Sequence, residues 1–329
     1  MQTDPRLKLP DLLFVTGATG YIGSAFLRLA VAQDLNVKAL ARSETSAARI
    51  HSAGATPVMG ELCDGAADWT TKARLADAVV HLAQPQTFGG RVTNRRARRY
   101  REKRLAMDRE LWAALDPKRV RRIVYVAGTS YYGECGGQLH NEEATPRPRG
   151  WGPYMSPAIE ALDGYVARGL PIVSAFPGWV YGPGSWFAEY VLEPLAMGNP
   201  VTGLRGHSRL VSPVHVDDCA RALLHLLMVG EIGRRYFVVD NEPTTSERIA
   251  RLAAHSLGVP PRGRRVPEFV LRLLAGRVIA ESLATEACLS NARLRATGFR
   301  LSFPTCEQGV PDVVETWSTN VAIDSSSQA

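Results

Sequence analysis

Three glycines at regular spacing restrict this chain more than any other feature. The short apolar run Leu12-Leu13-Phe14-Val15 is followed at once by Thr16-Gly17-Ala18-Thr19-Gly20-Tyr21-Ile22-Gly23, and apolar residues then recur at helical spacing from Ile22 to Gln33. A strand that turns directly into a helix needs a tight bend at Gly17. It needs bare backbone at Gly20, where a phosphate can approach, and a small residue at Gly23, where helix and strand touch. The free N–H groups of the helix start then face an anion. A glycine triplet is a weak signal alone, and its position at the first strand–helix junction gives it weight. The expected ligand is a dinucleotide held by Gly17, Thr19, Gly20, Tyr21, Ile22 and Gly23.

The alternation continues. Val37–Ala41, Thr56–Met59, Ala78–Leu82, Ile123–Ala127 and Ile172–Phe176 read as short buried strands. Helical segments lie between them, including a long basic one ending near Leu115 and another over Pro157–Ala167. Such a pattern predicts an α/β fold, a Rossmann-type doubly wound parallel sheet over residues 1–182. From about Pro183 the pattern breaks into loops, helices and a late strand, Tyr236–Val239. That predicts a smaller C-terminal substrate lobe over 183–317, with later segments returning to the sheet. The polar stretch 318–329 reads as a disordered tail.

The residue after the second strand selects the nucleotide. NAD binders place a carboxylate there for the ribose diol, whereas this chain has Arg42 and Ser43, suited to a 2′-phosphate. NADP(H) is favoured and NAD(H) is the alternative, with Glu44 as the competing ribose contact.

Composition removes other classes. No apolar run in the 329 residues is long enough to span a bilayer, and no secretory h-region is seen, so the chain reads as cytoplasmic with no membrane partner. Cys63, Cys135, Cys219, Cys288 and Cys306 are odd in number and contain no CxxC pair, and the histidines lack ligand spacing. Reduced thiols and no metal are expected. The net charge of +7 concentrates in Arg91, Arg95, Arg96, Arg98, Arg99, Arg101, Lys103 and Arg104. This stretch is either a solvated helix face or a docking patch for an anionic group or acidic carrier protein. No recognition motif for nucleic acid accompanies it. A homodimer is compatible with all of this.

Several ordered segments together resemble the extended short-chain dehydrogenase/reductase family, the group of NAD-dependent epimerase/dehydratase and dihydroflavonol-reductase-like proteins. They span roughly residues 11 to 318. Gly60-Glu61-Leu62-Cys63-Asp64 is similar to the segment whose acidic residue lies near the adenine. Val80-His81-Leu82-Ala83-Gln84 resembles the family's fourth-strand cofactor edge. Gly128-Thr129-Ser130-Tyr131-Tyr132-Gly133 looks like its fifth-strand loop, and Pro177-Gly178-Trp179-Val180-Tyr181-Gly182-Pro183 like the loop beside the nicotinamide. Val214-His215-Val216-Asp217-Asp218 is similar to a conserved-pattern helix start. The resemblance therefore implies cofactor contacts at Asp64, Leu82, Ala83, Gln84, Pro177 and Val180.

The chain departs from the family in its catalytic pair, Tyr-x-x-x-Lys. The matching stretch, Tyr154-Met155-Ser156-Pro157-Ala158, keeps the tyrosine and replaces the lysine, and no lysine follows Lys118. The position of the usual loop serine falls on Gly128, with Thr129 and Ser130 beside it. The arginine of the nicotinamide loop is Phe176, and the asparagine of the long helix is replaced near Arg104. In the family the lysine binds the nicotinamide ribose and lowers the tyrosine's pKa. Without it a phenol stays nearer its reference value of about 10 and is a poor base, yet still a competent proton donor. The resemblance thus implies Tyr154, assisted by Thr129 or Ser130, as the catalytic group of a reductase.

Trp151, Trp179, Trp186, Phe187 and Tyr190 flank the nicotinamide end, with Tyr131, Gln84 and His215 as polar contacts. This predicts a pocket for an apolar small molecule, in character a secondary metabolite; the alternative is a core between lobes. Three functions stay open at this point. One is an atypical NADP(H)-dependent oxidoreductase reducing a carbonyl or conjugated bond. Another is a redox-neutral epimerase, dehydratase, isomerase or cyclase. The last is a non-catalytic NADP-binding sensor or scaffold.

Overall fold

The computed structural model describes residues 10–63, 68–86, 91–205 and 209–327. The expected alternation is realised in order: β1 (Leu13–Thr16), α1 (Tyr21–Ala32), β2 (Val37–Ala41), α2 (Glu44–Ser52), β3 (Thr56–Met59), α3 (Asp68–Arg74), β4 (Ala78–His81), α4 (Asn94–Ala114), β5 (Arg122–Val126), α5 (Gly152–Ala167) and β6 (Ile172–Pro177). The second half adds β7 (Trp179–Tyr181), α6 (Glu193–Ala196), β8 (Val201–Leu204), β9 (Leu210–Val211), β10 (Pro213–His215), α7 (Val216–Val229), β11 (Arg235–Val238) and β12 (Thr244–Thr245). It ends with α8 (Ser246–Ser256), β13 (Gly263–Val266), α9 (Glu268–Leu274), α10 (Arg277–Ala284), α11 (Ala292–Ala296) and α12 (Cys306–Ser327).

Among the described residues, seven strands pair into one sheet in the order β11-β6-β5-β4-β1-β2-β3. Every pairing in it is parallel. Parallel strands need crossovers, so helices cover both faces. One face buries Phe26, Ala30, Leu223 and Leu226 of α1 and α7. The other buries Met107, Leu111, Ile159 and Leu162 of α4 and α5. The strand order reverses between β1 and β4, which opens a crevice at their carboxyl ends. Register there sets Thr16 opposite His81.

The late strand belongs to this sheet: β11 pairs with β6, Phe237 opposite Phe176. The C-terminal lobe has its own small core of Tyr181, Phe187, Leu192, Ile249 and Val310. Two expectations are corrected. The long helix of the catalytic segment begins at Gly152, ahead of Pro157, which sits inside it. Its ring costs one backbone bond there, and the neighbouring Ser156 Oγ donates to the Gly152 carbonyl at 2.9 Å. The expected unstructured tail is helical as far as Ser327, as the continuation of α12, whose Val310, Val313 and Val314 anchor it in the C-terminal core.

Candidate functional site

The loop between β1 and α1 is shaped as the glycine spacing requires. Gly17 has φ +74°, and a Cβ there would stand 2.5 Å from the Ala83 nitrogen. A Cβ on Gly23 would lie 2.1 Å from the Gly17 carbonyl oxygen. Gly20, in contrast, is exposed and begins α1 with no side-chain cap and no acidic residue in the first turn. An uncapped helix start behind a cradle that any side chain would fill suits a pyrophosphate. Thr19, Tyr21 and Ile22 surround this turn half-buried, and the Tyr21 ring runs to the backbone of Gly182.

At the end of β2, Arg42 is exposed with no side-chain partner among the described residues. Ser43 is the N-cap of α2, its Oγ accepting from the Ser46 nitrogen at 3.2 Å. Asp64 lies outside the described residues. Leu82 and Ala83 are half-buried beside the glycine loop, and Gln84 is exposed, accepting from the Tyr100 hydroxyl at 3.4 Å. Pro177 is buried at the end of β6, and Val180 is buried in β7, which pairs with β10.

Beneath this crevice lies a buried polar network that the motifs did not announce. Thr16 Oγ1 and His81 Nδ1 are 2.6 Å apart, and His81 Nε2 stands 3.0 Å from Asp108 Oδ1. The Tyr125 hydroxyl donates to Asp108 Oδ2 at 2.8 Å and accepts from Arg104 Nε at 3.0 Å. Arg104 also pairs with Asp108 at 3.1 Å and donates to the Ala83 carbonyl at 2.7 Å. Burial lowers the His81 pKa, so the ring is neutral, with Nε2–H donating to Asp108. Burial pushes Asp108 upward, but the Arg104 charge and the contacts with His81 and Tyr125 together outweigh it and hold the carboxyl below its usual range. Arg104 was grouped with the basic stretch, and here the structure corrects the sequence. Its guanidinium is 3 % exposed, whereas Arg95, Arg98 and Arg99 are solvated. The legible signal was spacing: Arg104 and Asp108 fall at i, i+4 on the face that carries Ala97, Tyr100, Met107 and Leu111.

The catalytic candidates meet around the start of α5. A Cβ on Gly152 would be 2.0 Å from the Ser130 carbonyl, so the first turn of α5, with Tyr154, rests on the single 3-10 turn Thr129–Tyr131. The Thr129 and Ser130 hydroxyls are half-exposed and make no hydrogen bond among the described residues. Tyr154 is half-buried against Trp151, ring centroids 6.4 Å apart, beside Val92, Ala97 and Val278. The space a side chain on Gly128 would take is filled by Met155, whose Cε lies 2.5 Å from it. Ala158 and Met155 line a small cleft whose opposite wall includes Arg104.

The aromatic residues do not form one pocket. Trp151 joins Tyr154 and Tyr100. Tyr131, expected to touch substrate, is 4 % exposed; it stacks on Tyr132 and Phe176, and its hydroxyl accepts from Arg235. Phe187 is fully buried in the C-terminal core, with Trp179 and Trp186 packed against its rim and each other, 5.2 Å apart. Tyr190 is exposed on the same lobe. His215 is 1 % exposed and caps α7 by accepting from the Asp217 nitrogen at 3.2 Å. Tyr131 and Phe187 are therefore core residues, whereas His215 caps α7 through Nδ1 and leaves its buried Nε2 without a hydrogen bond, 3.3 Å from Asp312 Oδ2. The five cysteines are free. Cys135 and Cys288 nevertheless meet in space with Glu286, their ligating atoms within 4.8 Å of one another, a grouping invisible in chain spacing. Among the described residues no helix is long and apolar enough to cross a membrane.

A parallel sheet with a glycine-lined crevice at its switch point defines a dinucleotide-binding enzyme fold. The family model for the NAD dependent epimerase/dehydratase family matches residues 13–238, and the chain belongs to that family. It is an NAD(P)-dependent enzyme of the extended short-chain dehydrogenase/reductase type. Among curated proteins it is 25% identical over 288 residues to a 4-hydroxy-2-methyl-3-oxo-4-farnesyl-3,4-dihydroquinoline-1-oxide ketoreductase of Stigmatella aurantiaca, covering 85% of this chain and 84% of that one. It is 24% identical over 281 residues to a 2-alkyl-3-oxoalkanoate reductase of Shewanella oneidensis, covering 78% and 69%. Among solved structures, a human epimerase family protein with NADPH shares the fold at TM-score 0.76 and 23% identity, over 92% of this chain and 99% of that one. A Thermus thermophilus UDP-glucose 4-epimerase with NAD does so at TM-score 0.76 and 24% identity, over 93% and 99%.

Proposed function

We propose that the protein is an NADP(H)-dependent ketoreductase for a hydrophobic metabolite, with a protonated Tyr154 donating to the substrate oxygen. The observation that carries this reading is the seating of the Tyr154 turn on Thr129–Ser130, whose hydroxyls are unclaimed. NADPH would supply the hydride when bound, held by the Gly17–Gly23 loop with its 2′-phosphate at Arg42. The protein's own residues do the rest. Trp151 fixes the Tyr154 ring, the phenol delivers its proton to the oxygen that gains charge, and Thr129 or Ser130 donates a second hydrogen bond to the same oxygen.

Replacement of lysine by Ala158 supports reduction over alcohol oxidation, because nothing at that position favours the phenolate. The cation facing the same cleft is Arg104, and its charge is already committed to Asp108. The two reductases among the relatives support the same direction.

The test is NADPH consumption with a panel of hydrophobic ketones. Tyr154→Phe removes only the hydroxyl and is expected to lower kcat by about 10²–10⁴-fold while NADPH binding persists. Full turnover in that variant would refute the donor role.

A further inference from the structure

Outside the nucleotide crevice, α9 presents an uncovered apolar surface. This helix buries none of its residues, and Phe269, Leu273 and Leu274 are 70 %, 67 % and 70 % exposed. Phe269 and Leu273, four residues apart, lie along one side of the helix. Phe269 and Leu273 line an open groove of about 390 Å³ together with Arg91, Arg272 and Arg277. Arg91 and Arg272 make no hydrogen bond or ion pair among the described residues, and Arg277 pairs with Glu281. Three guanidinium groups beside an uncovered apolar strip are complementary to an amphiphile whose head is negative.

The segment that carries Arg91 is held against the turn that carries Arg277. The Val92 nitrogen bonds the Ala275 carbonyl at 2.9 Å, which fixes the segment before α4 against the α9–α10 turn. Val278, directly after Arg277, packs with Val92 and Ala97 in the cluster that Trp151 and Tyr154 close. On the far side the Trp151 nitrogen donates to Ser282 Oγ at 3.2 Å, so α10 lies over the start of α5.

We propose that this groove binds a long-chain carboxylate, with the head at Arg272 and Arg277 and the hydrocarbon chain on Phe269 and Leu273. An alkyl-chain carboxylate also appears in the name of the Shewanella oneidensis relative. A membrane surface is the less favoured occupant, because two apolar side chains beside three guanidinium groups match one chain with one anionic head and not an extended surface.

Calorimetry with palmitate below its aggregation concentration tests this without turnover. Palmitate is expected to bind, and methyl palmitate, which lacks the charge, to bind at least tenfold more weakly, the lower end for a charge-assisted contact. The double variant Phe269→Asp/Leu273→Asp, at positions too exposed to endanger folding, is expected to abolish palmitate binding with an unchanged melting temperature. Equal binding of acid and ester, undiminished binding in the double variant, or no binding at all would overturn the proposal. So would two other findings: co-sedimentation with anionic vesicles in place of monomeric palmitate binding, or a dimer that the double variant dissociates. Tyr154→Phe is expected to keep palmitate affinity. A refuted donor role with palmitate binding intact would therefore be distinguishable from failure of the groove.

Discussion

Asp108→Asn tests the buried network under the nucleotide crevice. The substitution keeps the side-chain shape and removes the charge that balances Arg104, whose guanidinium is 3 % exposed. It also replaces the oxygen that accepts from Tyr125 with a donor, so one hydrogen of that amide meets a hydroxyl already receiving Arg104 Nε. Removing one partner of a buried ion pair costs about 3–5 kcal/mol. The retained acceptor for His81 places the expected loss near the lower end. With an unfolding entropy of about 2.1 cal/mol/K per residue, a chain of 329 residues loses roughly 4–7 °C in melting temperature. Differential scanning calorimetry at pH 7.5 reads this directly. Adding Arg104→Met to an Asp108→Leu chain removes both charges together, and is expected to recover at least half of the loss. A drop below about 1 °C in Asp108→Asn would refute the reasoning, since water would then be reaching the guanidinium.

The same network sets an acid limit. Asp108 has a folded pKa below its unfolded value, so its contribution is complete above about pH 3.9 and is lost only as pH falls through the folded value. His81 is also lowered, so its contribution is complete above about pH 6.5 and declines as pH falls below that. Stability between pH 6.5 and 5 should therefore track His81 together with His215 and His225, which burial also lowers, and not Asp108.

Three further outcomes are expected. Arg42→Ala should weaken NADPH binding by about 10-fold or more and leave NADH unchanged, read by calorimetry, and equal affinities of the parent for both nucleotides would return the ribose to Glu44. Gly23→Ala would gain about 1 kcal/mol from helix propensity alone, yet the Cβ would lie 2.1 Å from the Gly17 carbonyl oxygen, so a lower melting temperature and lost nucleotide binding are expected. Asp240, raised to about 8 chiefly by burial and then by Asp218, stabilises least when ionised. Its contribution is full below the unfolded carboxylate value and lost as pH rises through about 8, so Asp240→Asn should gain more stability at pH 9 than at pH 5 in urea titrations.

The fold was legible because burial on both faces leaves a simple trace: β2 and β4 fall where short apolar runs end in turns. The glycine loop was legible for the same reason, each glycine answering one close contact. The Arg104–Asp108 pair was obscured by its neighbours. Seven other basic residues in the same stretch made a buried guanidinium look like one more surface charge, although the i, i+4 position among Tyr100, Met107 and Leu111 marked it. Aromatic density misled for a related reason. Tyr131 and Phe187 lie close in sequence to the expected site, but a side chain's direction relative to the sheet decides whether it meets substrate or core, and loop segments carry no periodicity that reveals it. The groove on α9 escaped notice because a seven-residue helix is too short to show an uncovered face by pattern alone.

The hydrogen bonds that floor the crevice also govern when the protein can first bind its nucleotide. Thr16 and His81 are 65 residues apart in the chain, and their contact requires β1 and β4 side by side with α4 already docked to supply Asp108. Closing loops of that length precedes any gain from the contacts they create. The strand–glycine–helix unit at the amino end carries the phosphate-facing backbone by itself, but the Ala83 edge that abuts it arrives only with β4. During synthesis the binding surface therefore matures only after the chain has passed α4, and added nucleotide should slow unfolding while leaving the earliest folding steps at their unliganded rate.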